Sequence, residues 1–144
     1  SMLYCQKRYP LTGSEMPVTP GMRGEASMTV DQAHTASALG SGNVPTLGTP
    51  AVVTLLERAA VNAVRRGLEE GQETVGTLIN IRHLSPTAIG KHVRAQAIVT
   101  GVEGRTITFE VSATDPSGKI AEGTHERVIV NREQFIWKAA SRGI

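Results

Sequence analysis

Thr49-Pro50-Ala51-Val52-Val53-Thr54-Leu55-Leu56-Glu57-Arg58-Ala59-Ala60-Val61-Asn62-Ala63-Val64-Arg65-Arg66-Gly67 is the stretch that decides the fold. Its apolar residues recur at helical spacing as Val52, Val53, Leu55, Leu56, Ala59, Ala60, Ala63 and Val64, with Arg58, Arg65 and Arg66 on the opposite side. Thr49 suits an N-cap, because its hydroxyl can accept from an unpaired first-turn amide. Pro50 suits the first helical position, where a missing N–H costs nothing, and Gly67 is a natural stop. One long helix with a single apolar side follows, and such a helix needs a surface to cover.

Downstream the period changes from about 3.6 to 2. Val75, Thr77, Ile79, Ile81 and His83 alternate along one expected strand, Val93, Ala95, Ala97 and Val99 along the next, and Ile107, Phe109, Val111 and Ala113 along a third. Glu103-Gly104 makes a tight reversal, Asp115-Pro116-Ser117-Gly118 reads as a type I turn, and a last strand runs from about Lys119 to Asn131. Short turns between consecutive strands force antiparallel pairing. Upstream, Met28 and Val30 mark a short first strand, and the small residues of Ala36–Pro45 read as a loop. Residues 1–21, with Pro10, Gly13, Pro17, Pro20 and Gly21 and no periodicity, read as a flexible N-terminal arm, tag-derived in part. Strand, long helix, then four antiparallel strands is an α+β layout. It is that of the hotdog fold, in which a curved antiparallel sheet wraps one central helix, and it places a single domain at residues 22–144.

Composition narrows the function classes. A chain of 144 residues, 40% hydrophobic and 19% charged, suits one domain with an ordinary core. No apolar run approaches the roughly 18 residues of a membrane span, and the start lacks a continuous apolar leader, so a cytoplasmic protein that does not enter membranes is expected. Cys5 is the one cysteine, which excludes an internal disulfide. A net charge of +2 with 3% aromatic residues gives no surface for gripping nucleic acid. No His/Asp/Glu cluster indicates a metal, and no phosphate-binding loop, dinucleotide fingerprint or nucleophile elbow is present.

Glu57 and His83 break the apolar patterns. On the helical wheel Glu57 falls among Val53, Leu56, Ala60 and Val64, where a carboxylate costs several kcal/mol unless it is paired. His83 ends the apolar face of its strand and should point at the helix layer. Either residue alone is compatible with a satisfied structural group, but each could solve the other's burial problem. Thr49 lies on the same helix side as Glu57, eight residues away, or ~12 Å along the axis. An imidazole between the two would complete an orienter, base and nucleophile set of Glu, His and Thr. Gly76, inside a strand, marks either a bend or bulge, or a place where a ligand meets a bare backbone N–H able to hold an oxyanion. For Glu126 and Arg127 a charged pair on a solvated face is the ordinary reading, His125 has no metal-ligand spacing, and His34 and His92 carry no role.

From Met22 to Phe135 the chain resembles the fluoroacetyl-CoA thioesterase type of hotdog protein. The resemblance rests on Thr49 followed eight residues later by Glu57, on Gly76 through His83 with Gly and His seven apart, and on Gly123-Thr124-His125-Glu126-Arg127. Val102-Glu103-Gly104-Arg105 matches the family's hairpin. It implies a catalytic group of Thr49, Glu57 and His83, Gly76 in the oxyanion region, and Arg127 lining the site. It also implies a homodimer, extendable to a dimer of dimers, with clefts between protomers. No separate cofactor is implied, since coenzyme A is the handle of the substrate. One departure stands out: the fluoroacetyl-specific enzyme carries a phenylalanine on the lid between first strand and helix, and Ala36–Pro45 has no aromatic residue. A different, larger acyl group is therefore expected.

The expected function is hydrolysis of an acyl-CoA thioester. A non-catalytic acyl-CoA-binding or sensing module of the same fold is the alternative, and it would leave the Thr/Glu/His set unexplained. A hydratase or dehydratase of this fold ranks third, because its Asp/His motif is missing.

Overall fold

The computed structural model describes residues 17–143. Most of the expected arm, residues 1–16, lies outside the described residues. The rest of it is docked: Val18 joins the core beside Gly67, and the Gly21 amide donates to the Val99 carbonyl at 2.8 Å. An apolar side chain and a backbone bond anchor the chain here, so the domain begins ahead of Met22.

Strand β1 (Arg23–Thr29) leads through a 3-10 turn and a four-residue helix, α1 (Ala36–Leu39), to the long helix α2 (Thr49–Val64). Then come β2 (Gln72–His83), β3 (His92–Glu103), β4 (Thr106–Asp115), β5 (Gly118–Asn131) and a terminal helix α3 (Arg132–Ser141). The strands form one antiparallel sheet in the order β1-β3-β4-β5-β2. Two elements were not anticipated. Part of the expected 36–45 loop is α1, capped by the Thr35 hydroxyl accepting from the Ala38 amide at 3.2 Å. The other is α3, which starts because the Asn131 side chain accepts from the Gln134 amide at 3.0 Å.

Helix α2 buries Val52, Leu55, Leu56, Ala59, Ala60, Ala63 and Val64 against the inward residues of β1, β3 and β4. Small residues bring helix and sheet close: a Cβ on Gly24 would run into the backbone of Ala59 and Ala63. Phe109, Ile107, Val93 and Val99 fill the remaining space, each worth about 1.5–3 kcal/mol of burial. The sheet therefore covers the helix from the β1 side, and β2 makes few contacts with it. β2 is an end strand whose Leu78 and Ile79 are 49% and 37% exposed.

β2 also carries a bulge. Gly76 pairs with Arg127 and Leu78 with Glu126, so Thr77 is the extra residue. The single alternation expected from Val75 to His83 is thus broken. Register puts Gly76, Ile79, Ile81 and His83 on the helix side, across from Arg127, His125, Gly123 and Ala121, while Val75 turns outward. Among the described residues no helix is long and apolar enough to cross a membrane.

Candidate active site

Thr49 is the first residue of α2 and not its cap. Gly48 takes the cap position, and no side chain caps the helix. With Pro50 next in line the first turn needs fewer partners, and the Thr49 hydroxyl is free for another task. It lies 2.8 Å from Nδ1 of His83, the last residue of β2. Burial lowers the His83 pKa from its ordinary 6.5, and the Ser85 backbone opposes that shift to a smaller degree. The ring is therefore neutral at pH 7. If the Thr49 O–H donates to Nδ1, the remaining ring proton sits on Nε2, and Nε2 is buried without a hydrogen-bond partner among the described residues. A cavity of about 330 Å³ opens over the pair, walled by Ala36, Val44, Leu47, Gly48, Leu84 and Pro86. A hydroxyl bonded to an unprotonated imidazole beside a partly apolar cavity is the arrangement that a nucleophile and its base require.

Glu57 does not join them. It sits at the border of the buried side of α2, not in its middle, and its side chain is 39% exposed. The reason is the one-sided cover of the helix, which centres the buried stripe on Val52, Leu55, Ala59 and Ala63. Its partner is Arg127: Nη1 donates to Glu57 Oε2 at 3.1 Å. Gly76 makes this possible, because the carboxylate oxygen occupies the place a Cβ would take. Seven residues of strand, about 23 Å at 3.3 Å per residue, separate Gly76 from His83. The expectation that Glu57 and His83 meet is therefore not met within one chain.

Arg127 is 6% exposed, which corrects the reading of a solvated charged face. Its Nε donates to Thr74 Oγ1 and its Nη2 to the Thr74 carbonyl, both at 2.9 Å, and Nη1 also meets His125 Nε2 at 3.2 Å. Burial lowers the Arg127 pKa and Glu57 opposes the shift; a guanidinium in such a network stays charged. Glu126 points outward instead, accepting from the Thr77 hydroxyl at 2.8 Å. Thr74 and His125 were missed as site residues. Period two alone places His125 on the same side as Arg127, which was a readable signal.

A larger hollow of about 550 Å³ lies on the outer face of the sheet. Its lining includes Arg82, Glu110, Lys119 and Glu122, and Lys119 is bonded to Glu122 at 2.7 Å. It lacks a nucleophile–base pair.

Comparison with known proteins points the same way. Residues 30–133 match the family described as fluoroacetyl-CoA-specific thioesterase. A fluoroacetyl-CoA thioesterase of Streptantibioticus cattleyicolor is 39% identical over 84 residues, which cover 58% of this chain and 60% of that relative. This chain thus aligns with less than two thirds of the relative's length. A solved structure of the fluoroacetyl-CoA thioesterase superposes with a TM-score of 0.82 at 30% identity, covering 88% of this chain and 98% of the other. A thioesterase superfamily member of Thermus thermophilus does so with a TM-score of 0.79 at 27% identity, covering 88% and 96%. The curved sheet around a central helix is the fold shared by all of these.

Proposed function

The chain belongs to the fluoroacetyl-CoA-specific thioesterase family, and from that premise we propose that it hydrolyses an acyl-CoA thioester to a free acid and coenzyme A. The observation that carries this is the 2.8 Å contact between Thr49 Oγ1 and His83 Nδ1 under a cavity of about 330 Å³. In the proposed reaction Nδ1 takes the hydroxyl proton as Oγ1 attacks the thioester carbon. The C–S bond then breaks, the coenzyme A thiolate leaves with the proton held on Nδ1, and a water repeats the sequence on the acyl-threonine ester. Protein groups and water carry the proposed chemistry, and coenzyme A enters with the substrate.

Glu57 enters through a second copy of the chain. Three features support this among the described residues: β2 ends the sheet with its outer edge unpaired, Leu78 and Ile79 are exposed on it, and His83 Nε2 lacks an acceptor. Antiparallel pairing of β2 with its own copy, about a two-fold axis between Ile79 and Asn80, would set His83 opposite the partner subunit's Gly76. The partner subunit's Glu57 would then accept from Nε2 and stabilise the imidazolium, while the partner subunit's Gly76 and the partner subunit's Arg127 line the oxyanion side of the same cleft. A homodimer with two such clefts is the proposed working unit. Its acyl group is short, uncharged and larger than fluoroacetyl, since Ala36, Val44 and Gly48 leave room at the cavity wall.

The test is thiol release from a panel of acyl-CoAs, acetyl to hexanoyl. Wild type is expected to turn over part of the panel, and His83→Ala to lower kcat about 10²–10⁴-fold at an unchanged melting midpoint. Binding of acyl-CoA with no thiol release would decide for a non-catalytic module. Wild-type rates in His83→Ala would remove the base assignment.

A further inference from the structure

His125 is 1% exposed, and the reaction above gives it no task. Its ring is held at three points. Nδ1 lies 2.7 Å from the Leu78 carbonyl. A carbonyl only accepts, so Nδ1 carries the proton and Nε2 of the neutral ring is a bare acceptor. Arg127 Nη1 lies 3.2 Å from Nε2, and a guanidinium only donates. The two contacts thus agree on one tautomer. Below the ring Phe109 stacks with centroids 5.7 Å apart.

The Arg127 end is equally determined. Nη1 has two hydrogens and two acceptors, His125 Nε2 at 3.2 Å and Glu57 Oε2 at 3.1 Å. Nε and Nη2 are both taken by Thr74. With all three nitrogens engaged, the guanidinium plane has one orientation, and in it the hydrogen not given to His125 points at Glu57. The Leu78 carbonyl lies just beyond the bulge that leaves Gly76 beneath the carboxylate.

We infer that His125 is a positioning residue for Glu57: a neutral imidazole whose Nε2 takes one Nη1 hydrogen of Arg127, so that the other holds the carboxylate over Gly76. It acts through Arg127 and touches no substrate. The inference rests on the reading in which Glu57 serves a thioesterase. Protonation would set an Nε2–H against the Arg127 donor. Burial and Arg127 oppose it, the Leu78 carbonyl, Glu57 and Glu126 favour it, and the net direction of the pKa is downward.

A purely structural histidine would need only the Leu78 bond. The two roles use different ring nitrogens, and so they separate by substitution. In His125→Asn the amide reaches the Nδ1 position and keeps the bond to Leu78, but it falls short of Arg127. In His125→Gln it reaches the Nε2 position and can accept from Arg127. Positioning predicts that His125→Asn lowers kcat about 10- to 100-fold with KM little changed, and that His125→Gln loses several-fold less. Equal losses, the reverse order, or a loss confined to KM would overturn the inference.

Should His125→Asn fail to fold, nitrogen-resolved NMR of the wild-type imidazoles decides. A neutral ring protonated on Nδ1 at pH 7 is expected; a ring protonated on Nε2, or charged, overturns it. Glu57→Gln is measured alongside. If it keeps wild-type turnover on every acyl-CoA, the reading of Glu57 has failed, whichever tautomer the NMR finds. If it loses turnover while both His125 variants keep it, only the positioning inference has failed.

Discussion

Thr49 and His83 meet through one hydrogen bond and leave an imidazole nitrogen with no partner among the described residues, whereas Arg127 has every guanidinium nitrogen engaged by Thr74, His125 and Glu57. The first region faces a cavity at the start of α2; the second is packed between α2, β2 and β5. A satisfied buried network rigidifies its surroundings, and an unsatisfied group signals a missing partner or a chemical task. The two regions therefore carry different loads. In the proposed reaction one holds reactivity that stability does not need, and the other holds a geometry on which stability and reactivity both depend.

Two near-isosteric substitutions separate these loads. Thr49→Val removes the proposed nucleophile, and turnover should fall by at least about 10²-fold. Because the Thr49 hydroxyl caps nothing, the unfolding free energy should move by less than about 0.5 kcal/mol. Arg127→Met removes the guanidinium and strands His125 Nε2 and the Thr74 hydroxyl. The half-exposed Glu57 can turn to water, so the loss is about 2–4 kcal/mol and not the full cost of a broken interior pair. For a domain of this size that lowers the melting midpoint by about 10 °C. Thermal melts and acyl-CoA turnover on the same preparations check both. Equal destabilisation by the two variants would erase the contrast.

Gly76→Ala probes the contact between the packed region and the carboxylate. The added Cβ would collide with Glu57 Oε2 but stand 3.4 Å from Arg127 Nη1 and His125 Cε1. The flexible carboxylate should yield and the network remain. We expect a stability loss below about 1 kcal/mol and a fall in kcat of about tenfold. Adding Glu57→Asp, which withdraws the oxygen by one methylene, should recover part of the loss. A double variant no better than Gly76→Ala alone would show that the collision is not the cause.

How far the residues disclose this architecture depends on whether their signal is local. Helix α2 was legible because its apolar spacing, Pro50 and Gly67 agree, and β3 and β4 because their alternation is unbroken from Val93 to Val99 and from Ile107 to Ala113. β2 misled: Thr77 looks like one more member of the alternation, and nothing in the sequence says that it is the bulge residue. That slip exchanged Gly76 for Thr77 on the helix side. Glu57 was recognised as out of place, but its partner was not, because Arg127 lies 70 residues away and only the register of β5 on β2 brings it under the helix. The Thr49–His83 contact was legible only as a direction, since Thr49 scores equally well as a cap. Helix α3 went unseen because its apolar residues, Phe135, Ile136 and Trp137, are consecutive and exposed, and they leave no stripe to read.

The smallest effect bears on whether the two regions meet across a dimer. Within one chain, burial lowers the His83 pKa, so the imidazole stays a base below pH 6.5. The acidic limb of kcat/KM, which reports the free enzyme, would then have its midpoint below 6.5. A carboxylate facing Nε2 stabilises the imidazolium and moves the midpoint back up. Removing that charge with Glu57→Gln should therefore shift the limb to lower pH, in addition to slowing turnover. In folding the sign runs the other way round: the unfolded imidazole takes its proton first as pH falls below 6.5, so the depressed pKa values of His83 and His125 erode stability from there downward. Glu57 already relieves part of that erosion at His125, and a carboxylate facing His83 would add to it, so Glu57→Gln should steepen the fall of the melting midpoint between pH 7 and 5.5. If the limb is the same in wild type and Glu57→Gln, neither Glu57 nor the partner subunit's Glu57 faces His83. The Thr49–His83 pair would then work alone, with the Glu57 cluster serving only the packing of α2 on β2 and β5.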